Sequence, residues 1–387
     1  MSRIDDLIAE YCPNGVERKP LGAIAKLYRG NGLQKKDFTD KGIGCIHYGQ
    51  IYTRYDTFTS QTISFVDKKL ADKLLKVHPN DLIVTATSEN LEDVCKAVAW
   101  LGGSDIVTGG HSIVVRHHQN AKYLSYYFQT LDFFQRKRAY VHGTKVMEIK
   151  KDDLAKIVVP VPPLPVQEEI VRILDSFSSL EAELEAELEA RRKQYAYYRN
   201  ELLTFDRERV QWLKLGEAAF INKGTYITKK QVIPGNIPVI LGGVEPAYWH
   251  SESNHDGEGI VISRSGANAG FASYWNEPIF VSDGFVLDAT PGIDMRFLFH
   301  VLKKQQAKLH SMKRGSGVPH INSKMLANNV AIPVPPLEEQ QHVVSILDRF
   351  DKFTNDLSSG LPAEIEARRK QYEYYRDRLL SFDELAV

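Results

Sequence analysis

Apolar side chains fall at steps of three and four through residues 167–205, at Ile170, Leu174, Phe177, Leu184, Leu188, Tyr195, Tyr198, Leu202 and Phe205. That spacing keeps one face of a 3.6-residue helix apolar and predicts a single long helix with a coiled-coil stripe. At about 1.5 Å of rise per residue it would run roughly 55 to 60 Å. A second stripe, Val343, Leu347, Phe350, Leu357, Leu361, Ile365, Tyr372, Tyr375, Leu379 and Phe382, predicts a helix that packs on the first. Elsewhere the periodicity shortens. β-rich runs such as Leu82-Ile83-Val84-Thr85, Ser112-Ile113-Val114-Val115 and Gly259-Ile260-Val261-Ile262 are broken by Gly, Asn and Asp, and helical stretches follow at 123–140 and 295–309. These predict compact α+β domains.

The stripes belong to a duplication. Residues 189–206 read EARRKQYAYYRNELLTFD and residues 366–383 read EARRKQYEYYRDRLLSFD. Upstream of each stands a proline-rich entry, Pro160-Val161-Pro162-Pro163-Leu164 and Pro333-Val334-Pro335-Pro336-Leu337, then Ile173-Leu174-Asp175 and Ile346-Leu347-Asp348. Leu21-Gly22, Gly30 and Lys35-Lys36 recur as Leu215-Gly216, Gly224 and Lys229-Lys230. A head-to-tail repeat predicts two equivalent structural units and two equivalent sites on whatever they bind. The proline clusters suit neither a helix interior nor a central strand, so they mark boundaries: globular pieces at 1–160 and 207–333, long helices at 161–206 and 334–387. Between Phe350 and Glu366 the second copy carries four extra residues, and this region includes Gly360-Leu361-Pro362. A kink or break is expected there.

Charge changes the picture once the chain is divided. The total is zero, which alone would argue against a nucleic-acid partner. Residues 1–160 hold 23 Lys and Arg against 18 Asp and Glu, and residues 207–333 hold 14 against 10, whereas 161–206 hold 5 against 10 and 334–387 hold 7 against 11. Two basic pieces alternate with two acidic ones. Solvated glutamates on helices account for the acidic pieces but not for the basic ones. Three widely spaced cysteines, Cys12, Cys45 and Cys95, suit neither a disulfide framework nor a zinc site and read as reduced. The first ten residues carry Arg3, Asp5 and Asp6 without an apolar core, and no apolar run is long enough to span a bilayer, so a cytoplasmic protein is expected.

Catalytic signatures are sparse. There is no Gly-Lys dipeptide for a P-loop, no complete dinucleotide fingerprint, and no Asn/Asp-Pro-Pro-aromatic loop for amino-group methylation. Glu148-Ile149-Lys150 matches the tail of a nuclease motif but lacks its Pro-Asp partner. His250, His255, Asp256 and Glu258 fit no zinc spacing and read as a polar turn, and no metal site is expected. His111, His117 and His118 read as exposed turn residues. What remains suits DNA. Ser263-Arg264-Ser265-Gly266-Ala267-Asn268 combines small residues with Arg264, Ser265 and Asn268, whose side chains can pair with base edges. The matching place in the first half is Thr85, Thr87, Ser88 and Asn90, chemically different on a similar framework. Before each proline exit comes a candidate backbone clamp, Gly143-Thr144-Lys145 and Arg314-Gly315-Ser316. Lys35, Lys36, Lys229 and Lys230, with His47, Tyr48 and Gln50, complete the candidate DNA-binding set. Plain turns, a basic hinge and core packing are the competing readings of these segments.

These residues resemble the specificity subunit of type I restriction-modification systems, on the strength of the twice-occurring Pro-x-Pro-Pro-Leu entry, Ile-Leu-Asp turn and Ala-Arg-Arg-Lys-Gln-Tyr-x-Tyr-Tyr-Arg tail. The resemblance implies two globular target-recognition domains separated by two long helices that form an antiparallel coiled coil, the whole a pseudo-twofold internal repeat. It implies double-stranded DNA as ligand, read as a bipartite asymmetric site, two methyltransferase subunits and endonuclease subunits as partners, and no membrane. No cofactor is expected on this chain, since S-adenosylmethionine, ATP and magnesium would sit on partner subunits. Arg191, Arg192, Tyr195 and Arg199, with Arg368, Arg369, Tyr372 and Arg376, are the expected methyltransferase-docking residues, the alternative being that they only fill and bridge the helical seam. A stand-alone DNA endonuclease centred on the first domain, and a protein adaptor that binds no DNA, are the competing functions.

Overall fold

The computed structural model describes residues 3–243, 245–315, 317–356 and 358–383; Ser316 and Leu357, both singled out above, lie outside them. The chain divides into two compact units, the first formed by the chain up to Glu183 together with the segment from Glu366 onward, the second by Leu184–Ile365. Both are α+β.

In the first unit a sheet runs in the order Ala25–Arg29, Ser112–His117, Leu82–Thr85, Ala97–Trp100, Phe58–Thr59, and a second in the order Ser64–Val66, Ile43–Ile46, Ile106–Thr108, Leu75–Val77. The second unit repeats the plan with Ala219–Lys223, Gly284–Ala289, Glu258–Ser263, Ala272–Asn276, and with Tyr248–His250, Ile237–Ile240, Phe280–Val281. A parallel pairing in the smaller sheet recurs too, Ile43–Ile46 on Ile106–Thr108 and Ile237–Ile240 on Phe280–Val281, while the first unit has a further one, Phe58–Thr59 on Ala97–Trp100. The central strands are buried on both faces, which explains their uninterrupted β-branched character. Each proline exit closes a two-stranded ribbon, Val158–Pro160 on Arg18–Pro20 and Ala331–Val334 on Gln211–Lys214, where a residue without an N–H is tolerated. The expected helix at 123–140 is two, Ala121–Tyr127 and Leu131–Lys137, because the Thr130 hydroxyl accepts from the Phe133 amide and starts a new helix. Tyr123, Tyr126, Tyr127 and Phe133 are wholly buried. All three cysteines are free and buried, and burial pushes the Cys45 and Cys95 thiols up to about 12, which keeps them in the unreactive thiol form.

Helix Leu164–Leu202 is continuous over 39 residues, while the second helical segment is interrupted, Leu337–Asn355 followed by Leu361–Leu379. The break has a local cause. Asp356 accepts from the Ser358 amide and from the Ser358 and Ser359 hydroxyls, which hold its carboxyl well below the usual range. Gly360 lies so close to the end of the preceding helix that a Cβ would sit 2.7 Å from the Lys352 carbonyl oxygen and 2.8 Å from that of Phe353. Only glycine fits.

Each helix start is fastened to its domain by a duplicated pair of polar residues. Buried Gln167 accepts from the Asn120 amide at 3.0 Å and donates to the Pro162 carbonyl at 2.7 Å. Buried Gln340 does the same with the Asp294 amide at 2.8 Å and the Pro335 carbonyl at 2.8 Å. Eight residues further on, about two turns, stands the aspartate of each Ile-Leu-Asp. Asp175 accepts from Lys122 Nζ and Tyr126 Oη, both at 2.7 Å, and Asp348 from Arg296 Nη2 at 2.5 Å and His300 Nε2 at 2.7 Å. The motif is thus a docking anchor.

The repeated tails pack as an antiparallel pairing of the two helices requires. Within the first unit Phe177 stacks on Tyr375 and Glu181 pairs with Arg369, so the two helical segments run antiparallel, and Leu380 joins the domain core. Within the second unit Tyr198 stacks on Phe350, and Tyr195, Leu203 and Phe205 pack into its core. Each unit therefore holds the start of one long helix and the tail of the other. In the second unit the tail runs on covalently, with the Val210 amide on the Asp206 carbonyl, and in the first the Val16 amide meets the Asp383 carbonyl at 2.9 Å.

Burial would raise the Asp348 carboxyl, but hydrogen bonds from His300 and Arg296 outweigh it and hold the group below its usual value. A depressed folded-state value stabilises above the unfolded value, about 3.9, and this contribution is lost as pH falls below it. Asp348→Asn is expected to cost about 1 kcal/mol at neutral pH, allowing for partial exposure. Denaturant titrations of the full chain should show that gap shrinking below about pH 4, and a gap independent of pH would contradict the anchor.

Candidate nucleic-acid interface

In the first unit, three segments separated in sequence meet at one cleft. His47 starts a short helix by accepting from the Gly49 amide, while Gln50 accepts from the His47 amide and donates to Ser64. That turn projects Tyr48 over His111, with ring centroids 4.8 Å apart, and beside Tyr52, whose hydroxyl donates to the Thr87 carbonyl. The Thr87 hydroxyl is 2.9 Å from His111 Nδ1. The third segment is a hairpin: His142 and Glu148 exchange both main-chain hydrogen bonds, and Met147–Glu148 pairs with Thr87–Ser88. The resulting space, about 440 Å³, is lined by Tyr48, Tyr52, Thr87, Ser88, Glu89, Asn90, Asp93, His111 and Val146. Burial, followed by the charges of Lys35 and His111, holds His47 below its usual value. Lys35 and Lys36 are exposed, as are Thr144 and Lys145.

The second unit builds the same frame from other side chains. Arg264 and Ser265 follow the central strand, and the loop pairs with the hairpin in which Arg314 and His320 exchange main-chain hydrogen bonds. The Lys313 ammonium donates to the Ala267 carbonyl. Arg264 Nε donates to Asp283 Oδ1 at 2.8 Å, and the Ser265 hydroxyl donates to the other Asp283 oxygen. Asn268 is half-buried, its carbonyl accepting from the Phe271 amide. Lys229 and Lys230 lie exposed on a 3₁₀ turn equivalent to that of Lys35 and Lys36. Gly143 and Gly315 stand at matching hairpin positions with φ of +109° and +112°, a conformation that favours glycine. Each tip presents an exposed valine, Val146 at 58 % and Val318 at 62 %.

Several expectations need correction. Thr85 is wholly buried and its hydroxyl donates to the Asp93 and Lys96 carbonyls, so it presents nothing to a ligand. His47 and Gln50 are likewise buried and committed to the helix start. Asn90 holds its own turn through Asp93. His111 is exposed as expected and belongs to the cleft, whereas His117 is buried, which lowers its imidazole to about 4. His250 is buried, and among the described residues no group of histidines, cysteines and carboxylates is arranged for a metal. Glu148 is paired with Arg29 at 3.0 Å. On the helices, Tyr195 is buried with its hydroxyl 3.4 Å from His300 Nδ1, and Tyr372 packs against the first core. Arg199 and Arg376 lie over those rings, and Arg191 bonds Glu187 and Gln194. Arg192 and Arg368 are exposed, and Arg369 pairs with Glu181. The outward-facing rings are Tyr197 and Tyr374, 61 % and 60 % exposed. Sequence reasoning passed over Tyr52 and Glu89 although Gln50, Ser88 and Asn90 beside them were chosen, and missed Asp283, which nothing near it in the chain ties to Arg264.

Two copies of one loop-bearing α+β frame, with different polar side chains on the same main-chain scaffold, define a duplicated recognition protein. A family model described as the type I restriction modification DNA specificity domain matches residues 13–190 and 208–367, and the chain belongs to that family. It is 36 % identical over 262 residues to the EcoR124I/EcoR124II specificity subunit of Escherichia coli, an alignment covering 59 % of this chain and 63 % of that one. The chain thus spans a little under two thirds of that relative. It is 31 % identical over 329 residues to a putative type I restriction enzyme specificity subunit of Haemophilus influenzae, covering 78 % of this chain and 82 % of the relative. In fold it is similar to the S subunit of a Mycoplasma genitalium type I restriction-modification system, with TM-score 0.59, 17 % identity and coverage of 94 % and 96 %. A chain from work on complex assembly of the type I R-M system gives TM-score 0.63 at 17 % identity, covering 95 % and 98 %. Among the described residues no helix is long and apolar enough to cross a membrane.

A Cβ at Gly143 would stand 2.0 Å from the Val146 carbonyl oxygen, whereas at Gly315 it would stand 3.3 Å from the Val318 carbonyl oxygen, the nearest atom among the described residues. Gly143→Ala should therefore strain its hairpin by about 1–3 kcal/mol. Hydrogen exchange is expected to quicken at the His142 and Glu148 amides, and less at Arg314 and His320 in Gly315→Ala. Equal effects in the two variants would contradict the geometry.

Proposed function

We propose that this chain is the non-catalytic DNA-specificity subunit of a type I restriction-modification complex. Each unit reads one half of a bipartite, asymmetric duplex site. The helices hold two methyltransferase subunits, and with endonuclease subunits the assembly directs cleavage in the cytoplasm. S-adenosylmethionine, ATP and magnesium belong to those partners. The observation that carries this reading is the repeated frame with unlike side chains: Tyr48, Thr87, Glu89 and His111 in one unit, Arg264, Ser265, Asn268 and Asp283 in the other. Equal frames imply equal jobs, and unlike side chains imply unlike bases. Lys35, Lys36, Lys145, Lys229, Lys230 and Arg314 serve the phosphates, and the exposed Tyr197 and Tyr374 extend the docking surface beyond Arg192 and Arg368. The carboxylate of Glu148 is engaged by Arg29, which supports a structural role for it.

Duplex DNA retained on a filter should show affinity falling steeply with salt. Replacing Lys35 and Lys36, or Lys229 and Lys230, with alanine should each lower the log–log slope by up to about 2, at roughly 0.9 per phosphate contact. Retention that ignores salt would favour a protein adaptor. Plasmid incubated with the purified chain and magnesium should stay supercoiled; nicking abolished by Glu148→Ala would establish a nuclease instead.

A further inference from the structure

The two frames can be matched atom by atom through their main chains. In the first unit the Ala86 amide donates to the His111 carbonyl at 2.8 Å and the Ile149 amide to the Ala86 carbonyl at 2.9 Å. In the second the Arg264 amide donates to the Asp283 carbonyl at 3.0 Å and the Ile321 amide to the Arg264 carbonyl at 2.9 Å. Ala86 thus corresponds to Arg264, Thr87 to Ser265 and His111 to Asp283. The flanking turn differs too. Two residues beyond the parallel strand stands Tyr48 in one unit and Gly242 in the other, where a Cβ would come within 2.6 Å of the Ser265 carbonyl oxygen. Where the first unit has Ala86 and Tyr48, the second has Arg264 and a glycine that lets the backbone come close to the loop.

That arginine is held in a particular way. Asp283 uses one oxygen on Arg264 Nε and the other on the Ser265 hydroxyl, so the carboxylate has both oxygens engaged and the guanidinium is pinned by its inner edge. Its two terminal nitrogens have no hydrogen-bond partner among the described residues, and the side chain is 36 % exposed. A phosphate contact calls for an uncompensated cation, which the neighbouring carboxylate removes. A base contact calls for an oriented, rigid fork of donors, which it supplies. A planar pair of N–H donors matches the O6 and N7 acceptors of one base, guanine, in the major groove.

We propose that Arg264 is a specificity-determining residue that reads a guanine in the half-site of the second unit, with Asp283 as its positioning residue, and that the first unit, with Ala86 and His111 in those places, reads its half-site without this device. The assignment rests on the two units being DNA-reading heads.

The test uses the full chain with its methyltransferase subunits in cells, mapping every methylated position in the genome. The wild-type site should contain a guanine in one half. Arg264→Ala should let any base replace that single guanine, with its preference falling about 10- to 100-fold, while every other position keeps its stringency. Asp283→Asn should weaken preference at the same position only, and by less. Should Arg264→Ala methylate nothing, Arg264→Lys decides, since it keeps the charge but not the fork, and is expected to relax the same guanine. A site unchanged in both arginine variants, or a loss spread evenly over all positions, overturns the assignment and makes the pair a strut or a phosphate contact, while leaving DNA reading intact. Wild-type methylation without any defined site would instead overturn the DNA-reading function itself.

Discussion

Main-chain hydrogen bonds hold both candidate reading loops. The amide and carbonyl of Ala86, and those of Arg264, are paired on one side with the residue before a central strand and on the other with the end of a hairpin. Backbone groups are the same whatever the residue, so a frame built from them leaves the side chains free to differ. That is the condition for two heads of one fold to carry unlike chemistry. It is met by positions as different as Ala86 and Arg264, or Tyr48 and Gly242.

The joints between helices and domains follow the opposite rule. There the side chains themselves make the bonds, and they are kept in both copies: Gln167 and Gln340 bridge the proline-rich entry to the first turn of a domain helix, and Asp175 and Asp348 receive a cation and a ring donor. The partners differ, Lys122 and Tyr126 in one unit and Arg296 and His300 in the other, because an anionic acceptor is satisfied by any well-placed donor. What is preserved is the acceptor.

Tail exchange explains why the motif EARRKQY repeats so closely. Tyr195 and Tyr372 sit inward, capped by Arg199 and Arg376, and Tyr198 and Tyr375 stack on Phe350 and Phe177. Both copies meet equivalent surfaces, so both are held to the same side chains. On the outward face Tyr197 and Tyr374 stay largely exposed, each edge-on to the tyrosine that follows it.

The duplication, the α+β class, the long helical stripes and the break near Gly360 were legible along the chain, because periodicity and glycine or proline placement act over a few residues. So were the basic loops around Arg264 and the turns at Gly143 and Gly315. Only the folded structure decided which side chains meet where each tail packs on the other helix, that Thr85, His47 and Gln50 are internal, and that Asp283 and His111 occupy one position in two frames. Those facts depend on pairings between residues far apart in sequence, Arg264 with Asp283 or Phe177 with Tyr375, and spacing along a chain carries no record of which distant atoms will meet.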